Sequence, residues 1–263
     1  MIVFWERVNR LSVDLQKAGL WKRIAAWLLD AILISVLAVG FGLGLSALLD
    51  YDGYSQTLES AYTNYENQYG VSFDIDQKTY EAMTAQEKAV FDKAYQAFTE
   101  DEQAIKAYNM LISLSLLITT IGILLAVLVL EFIVPLLLGN GATVGKKVFS
   151  LGLIRTDGVK INTMQLFVRA LLGKFTIETM IPLYLFLMML WGLMGIAGTV
   201  LICGLGITQM LLYGFTRTNS LLHDLLAGTV VVDISSQRVF ASTDDLIEYT
   251  KRVHAEKAER QDY

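Results

Sequence analysis

Thr179 to Gly214 is a run of 36 residues without one charged side chain. Wound as a single helix it would extend about 54 Å, against a bilayer hydrocarbon core of about 30 Å. The run is too long for one crossing. The economical solution is two crossings, at 168–190 and 195–215, with the reversal in Trp191-Gly192-Leu193-Met194-Gly195. Two further runs have the same character. Ile24 to Leu49 is 26 residues with one charge, Asp30, and Asn109 to Leu138 carries Glu131 and Pro135 towards its far end. The first is too long for the apolar core of a signal peptide, and no small-residue cleavage pattern follows it, so it reads as a retained anchor. The expected fold class is all-α integral membrane, a four-span helical bundle with spans at 24–49, 109–138, 168–190 and 195–215.

Composition agrees. The 263-residue chain is 54% hydrophobic and 18% charged, with mean hydropathy +0.47, whereas a soluble domain is nearer a quarter charged. One cysteine excludes a disulfide scaffold, and two histidines leave little for a metal site. A formal charge of -5 does not suit a nucleic-acid binder. No cofactor and no metal are expected.

Lysine and arginine set the expected orientation. Arg7, Arg10, Lys17, Lys22 and Arg23 precede span one, and Lys146, Lys147, Arg155 and Lys160 lie between spans two and three. The segment 50–108 holds four basic and twelve acidic residues. The N-terminus (1–23), the 139–167 loop and the tail (216–263) are therefore expected in the cytoplasm of a cell with a plasma-membrane location, and 50–108 outside.

Outside the spans, residues 2–18 place Trp5, Val8, Leu11 and Leu15 on one stripe, which fits either an amphipathic helix on the lipid bilayer or a loose tail. The external insert reads as helices. Leu58, Tyr62, Tyr65 and Tyr69 recur at helical spacing, Gly70 to Asp76 breaks the pattern, and Thr84-Ala-Gln-Glu87 fits a capping box. Thr99 to Glu102 offers a second cap. This insert is either a partner surface or a helical hairpin packed on itself. In the cytoplasmic loop, Val148 to Ile161 has strand character around Asp157-Gly158, a hairpin signal, and Thr229 to Ile234 is a β-branched run able to join it in a small sheet.

Two motifs fail on inspection. Gly139 to Lys147 has the wrong glycine spacing for a phosphate-binding loop and no Ser or Thr after Lys146. His223-Asp224 is an adjacent pair, and neighbours on a helix do not face each other. Gly40-x-x-x-Gly44 suits close helix packing, here expected within the chain. With no nucleophile–base set, an enzyme is not expected.

The informative residues are charges inside the spans. Arg23 and Asp30 are seven apart and share a helical face. Glu131 leaves span two, and Arg169, Lys174 and Glu178 enter span three, all at the same expected depth. An ionised aspartate at a helix centre costs about 2.5–3.5 kcal/mol on insertion scales, so such a residue needs a partner, a water-filled cavity or a proton. The cluster fits an ion or solute pathway, a structural ion-pair network, or a lipid-headgroup anchor.

Several of these segments together resemble the RDD family of prokaryotic membrane proteins. Arg23-Ile-Ala-Ala26-Trp-Leu-Leu-Asp30 looks like its R-x-x-A-x-x-x-D signature, and Gly141-Ala-Thr143-Val-Gly145-Lys146 resembles its G-x-T-x-G-K loop. Arg169 falls where the family often has an arginine, and Leu222-His223-Asp224 to Val232 looks like the closing segment with the second aspartate. The resemblance covers residues 18–234, without the insert. It implies Arg23, Asp30 and Asp224 as the residues of interest. It also implies a small transporter of an ion or solute, cation/proton antiport having been proposed for some members. A non-catalytic assembly subunit acting through the insert is the alternative, and a homo-oligomer is an expected partner state.

Overall fold

The structure, a computed structural model, describes residues 15–261. Among the described residues four helices are long and apolar enough to cross a membrane: Leu20–Leu48, Glu102–Leu138, Thr163–Leu190 and Gly195–Phe215. The protein is a four-span helical membrane protein, with one small sheet among the described residues. The chain divides into two compact units, residues 38–122 and the remainder.

In chain order the elements are α1 (Leu20–Leu48), α2 (Tyr51–Tyr69), α3 (Gln77–Ala82), α4 (Ala85–Glu100), α5 (Glu102–Leu138), α6 (Val144–Val148), β1 (Leu151–Arg155), α7 (Thr163–Leu190), α8 (Gly195–Phe215), α9 (Leu222–Ala227), β2 (Thr229–Asp233) and α10 (Thr243–Gln261). Spans one to three begin earlier than hydropathy alone indicated. Their first turns carry Lys22 and Arg23, Glu102 and Lys106, and Gln165, polar groups a helix tolerates at its ends. The expected amphipathic stripe at 2–18 lies largely outside the described residues. Where it is described it is extended: Asp233 N donates to Gln16 O at 3.0 Å, and Lys17 bridges Val232.

Residues 38–122 form the insert and the helix ends that carry it. Gly70 closes α2 in the left-handed region at φ 66°, and Thr84 and Glu87 complete a reciprocal capping box at the start of α4. The start of α5 is capped by Asp101, whose carboxylate accepts from Gln103 N and Ala104 N, rather than by Thr99. Tyr62, Phe73, Phe91 and Phe98 pack ring on ring, so the aromatic stripe is the insert's own core. Gly40 and Gly44 meet nothing within 4 Å; the close approach of α1 to α5 falls instead at Gly42 and Gly122.

In the other unit, β1 and β2 pair antiparallel, Leu151 opposite Asp233 and Arg155 opposite Thr229. The β-branched run alternates faces as a strand must. Val231 packs with Leu151, Leu153, Leu166 and Ala26, and Val230 and Val232 pack with Ile154. The expected hairpin is short. Gly158 turns the chain, but the returning arm is reduced to Val159 and a single bridge from Ile154 to Lys160. β2 takes the place of the second arm because it offers five consecutive pairing residues. The sheet lies beside the span ends and holds the loop at 139–147 against α1.

Candidate functional site

The charges singled out within the spans converge in the unit formed by residues 15–37 and 123–261. Asp30, on α1, is 3% exposed and faces the loop before α6. Its Oδ1 accepts from Gly145 N at 2.8 Å, and its Oδ2 accepts from the Thr143 hydroxyl at 2.5 Å. Thr143 also caps α6, its oxygen accepting from Lys146 N at 3.3 Å and Lys146 Nζ at 3.1 Å. The loop signature is thus a receptor for one carboxylate. Gly141 adopts φ +65° to make the turn, and Gly145 has no Cβ because one would lie 2.9 Å from the Asp30 carboxylate and collide with the Ala26 carbonyl. Lys146 brings its ammonium to 3.9 Å from Asp30.

From Lys146 the chain of charges continues. Its Nζ stands 4.0 Å from Glu131 Oε2, and Arg169 Nη1 stands 3.8 Å from the same oxygen. Lys174 Nζ donates to Glu131 Oε1. Arg169 binds Asp224 Oδ1 through Nε and Nη2, both at 3.0 Å. Asp224 Oδ2 accepts from Leu221 N at 3.4 Å, so the aspartate also holds the start of α9. Its carboxylate is 3.6 Å from His223 Nε2, whose Nδ1 in turn meets Glu178 Oε2 at 2.7 Å. Gln209 on α8 donates to Glu178 at 2.6 Å. One network therefore runs Asp30, Lys146, Glu131, Arg169, Asp224, His223, Glu178 and touches all four spans.

The winding of the helices makes this possible. Glu131 lies in a π-helical segment of α5, Leu128–Ile133, and Arg169, Lys174 and Glu178 lie in one of α7, Val168–Met180. Residues five apart sit about 140° apart on an α-helix but stack in a π-helix, whose bonds run i to i+5. Arg169 and Lys174 thereby reach one side. The Thr176 and Thr179 hydroxyls donate to the carbonyls of Leu171 and Lys174, each five residues earlier, along the widened ladder. At Gly173 an added Cβ would lie 2.7 Å from His223 Cα, which is why α9 can press its backbone against α7.

Arg23 stands apart from this network. It shares the Asp30 face, but no carboxylate lies within ion-pair distance of it among the described residues. Its Nη1 donates to Asn219 O at 2.5 Å and its Nη2 to Val231 O at 2.9 Å, and its Nε is buried without a partner. Asp224 takes Arg169 as its arginine, so Asp30 and Asp224 are joined through Lys146, Glu131 and Arg169 and not through Arg23. His223, set aside because helical neighbours diverge, belongs to the network: it reaches Glu178 on another helix, and only then Asp224. A cavity of about 80 Å³ lies among Arg23, Ala26, Trp27, Lys146, Arg169 and Lys174.

Burial shapes the protonation of the groups outside the spans. It pushes the Lys146 ammonium down to about 7, Lys174 and Arg169 adding to the effect while Glu131 and Asp30 oppose it. Burial also lowers His223, so its imidazole favours the neutral form. For Asp224 burial works against ionisation, but His223, Arg169 and Arg23 outweigh it and hold the carboxyl below its usual range.

A polytopic helical membrane protein with a buried acid–base network across its four spans is the class that fold and site define. The RDD family model matches residues 17–228, and the chain belongs to that family. Neither the curated proteins nor the solved structures contain a match.

Proposed function

We propose that the protein is a small transporter of an ion or small solute, coupled to protons through the buried network. One observation carries this reading. Asp30, Lys146, Glu131, Arg169 and Asp224 form an unbroken buried run, and Lys146 within it titrates near neutrality. Ionisable groups at membrane depth are costly and commonly mark ion pathways and proton relays. The site would face the cytoplasm of a prokaryotic plasma membrane, with both termini inside, a placement supported by the basic residues of those segments. Four spans give no visible inverted repeat, so the working unit would be a homo-oligomer.

The test is a proteoliposome flux assay with a pH-sensitive dye and pulses of Na⁺, K⁺ or Li⁺. Proton movement that depends on the added ion and disappears in Asp30→Asn supports the proposal. Wild-type vesicles that move no protons under any cation or anion gradient would refute proton coupling. The second reading is an assembly subunit. It draws on the insert, whose aromatic core gives it the means to fold as a presented surface.

A further inference from the structure

The cavity beside Arg23 has an unusual balance of charge. Arg23, Lys146, Arg169 and Lys174 line it, against the carboxylates of Asp30 and Asp224. Those carboxylates are already served. Both Asp30 oxygens accept hydrogen bonds, and so do both of Asp224. Arg23 is not: its two terminal nitrogens reach only backbone carbonyls, and its buried Nε–H reaches nothing. A buried donor left unmade is costly, and a guanidinium without a counter-ion more so.

We propose that this cavity binds a small oxyanion, a carboxylate or phosphate group, with Arg23 as its principal donor. Guanidinium presents N–H groups in a planar fork suited to both anions. The size agrees. At roughly 30 Å³ per water, a volume of about 80 Å³ holds two or three waters or one compact oxyanion, and no large solute. A cation fits poorly. Glu131 Oε2 is the one buried carboxylate oxygen without a hydrogen bond among the described residues, and it already faces two cationic nitrogens. Among the described residues no group of His, Cys, Asp and Glu is arranged to hold a metal. Trp27, which also lines the cavity, is 61% exposed on α1, within a span. A phospholipid headgroup and a free anion both carry the group this cavity fits, and the experiment has to tell them apart.

The inference rests on the transport reading for its consequence, that an oxyanion is what the site handles, but binding is measured without flux. Purified protein in a non-ionic maltoside detergent is titrated with inorganic phosphate, then acetate, in chloride-free buffer, by calorimetry. A parallel arm compares nanodiscs of phosphatidylcholine with and without phosphatidylglycerol. Saturable binding of either anion, weakened at least about tenfold in Arg23→Gln and unchanged in Lys22→Gln, is the expected result. Lys22 is a fair control because it pairs with Asp233 away from the cavity. Should Arg23→Gln fail to fold, Ala26→Val narrows the cavity without changing charge and must weaken binding as well. Stabilisation by phosphatidylglycerol with no binding of free anion assigns the same site to a lipid headgroup. Folded protein that binds no phosphate, acetate or phosphatidylglycerol overturns the proposal, as does binding unaltered in a folded Arg23→Gln or in Ala26→Val. Binding without flux keeps this inference and removes the transport reading; cation-coupled proton flux without anion binding does the reverse.

Discussion

Glu131→Gln is the sharpest perturbation of the network, because it deletes one charge and almost no volume. Glu131 is 2% exposed and faces three cations: Lys174 by a hydrogen bond, Arg169 at 3.8 Å and Lys146 at 4.0 Å. With an effective dielectric of about 20, each of the longer contacts has a gross attraction of about 4 kcal/mol. Burying all these charges offsets most of that gain, so the intact cluster contributes little net stability. Removing only the carboxylate is different. Arg169 keeps Asp224, but Lys146 and Lys174 are left buried without their main counter-charge. Breaking a buried pair from one side costs about 3–5 kcal/mol, or roughly 6–20 °C in Tm for a domain of this size. The assay is unfolding in mixed micelles followed by tryptophan fluorescence, on wild type, Glu131→Gln, Lys174→Met and the double variant. The double variant should lose less than the sum of the singles by more than about 1 kcal/mol. Additive losses, or a Glu131→Gln loss under about 1 kcal/mol, would refute the view that this carboxylate is the junction of the network.

Two more predictions address the loop that receives Asp30. Lys146 is faced by Thr143 on its own loop, Asp30 on α1, Glu131 on α5, and Arg169 and Lys174 on α7. Its folded-state value of about 7 lies below the ordinary 10.5, so between those limits the unfolded chain holds a proton that the native state lacks. Stability from this group therefore rises with pH across that window and is flat below it, and Lys146→Met should remove the rise when unfolding is compared at about pH 6.5 and about pH 9. Gly145→Ala should destabilise by about 1–3 kcal/mol, since its methyl would meet a backbone carbonyl and a carboxylate. Gly44→Ala, with open space around it inside a helix, should not destabilise and should gain up to about 1 kcal/mol in thermal unfolding.

Much of this architecture was legible because it depends on local pattern. The spans follow from uninterrupted apolar length, the α4 cap from Thr84 and Glu87 three residues apart, and the β2 strand from three consecutive valines. The reading also gathered Glu131, Arg169, Lys174 and Glu178 at one depth, since each sits at the corresponding end of its helix. What spacing could not supply was partner choice. Nothing in the sequence says that Asp224 takes Arg169 and leaves Arg23 to backbone carbonyls; that is decided by where α9 docks on α7, at Gly173. His223 was set aside by a rule for neighbours on one helix, and its contact with Glu178 is made across two. The hairpin reading gave Asp157-Gly158 more weight than the returning arm could bear, because a turn signal does not report which strand offers the better ladder.

The π-helical segments explain why the charges cooperate as a network rather than as isolated pairs. On an ordinary α-helix Arg169 and Lys174 would diverge, and only one could reach Glu131; the other would be left to the bilayer. Widening α7 over Val168–Met180 turns both inward, at the expense of the tighter α-helical bonding. Such segments are rare and frequently fall at functional sites. With Lys146 arriving from the loop as a third, Glu131 is over-supplied with positive charge, and the surplus is shed most readily by the group whose ammonium is already close to neutrality. Within the cluster it is Lys146 that burial lowers to about 7, so it is the group placed to gain or lose a proton there. Its nearest open volume is the cavity beside Arg23. An anion bound there, as proposed, would favour the protonated form of Lys146, and loss of that proton would favour its release.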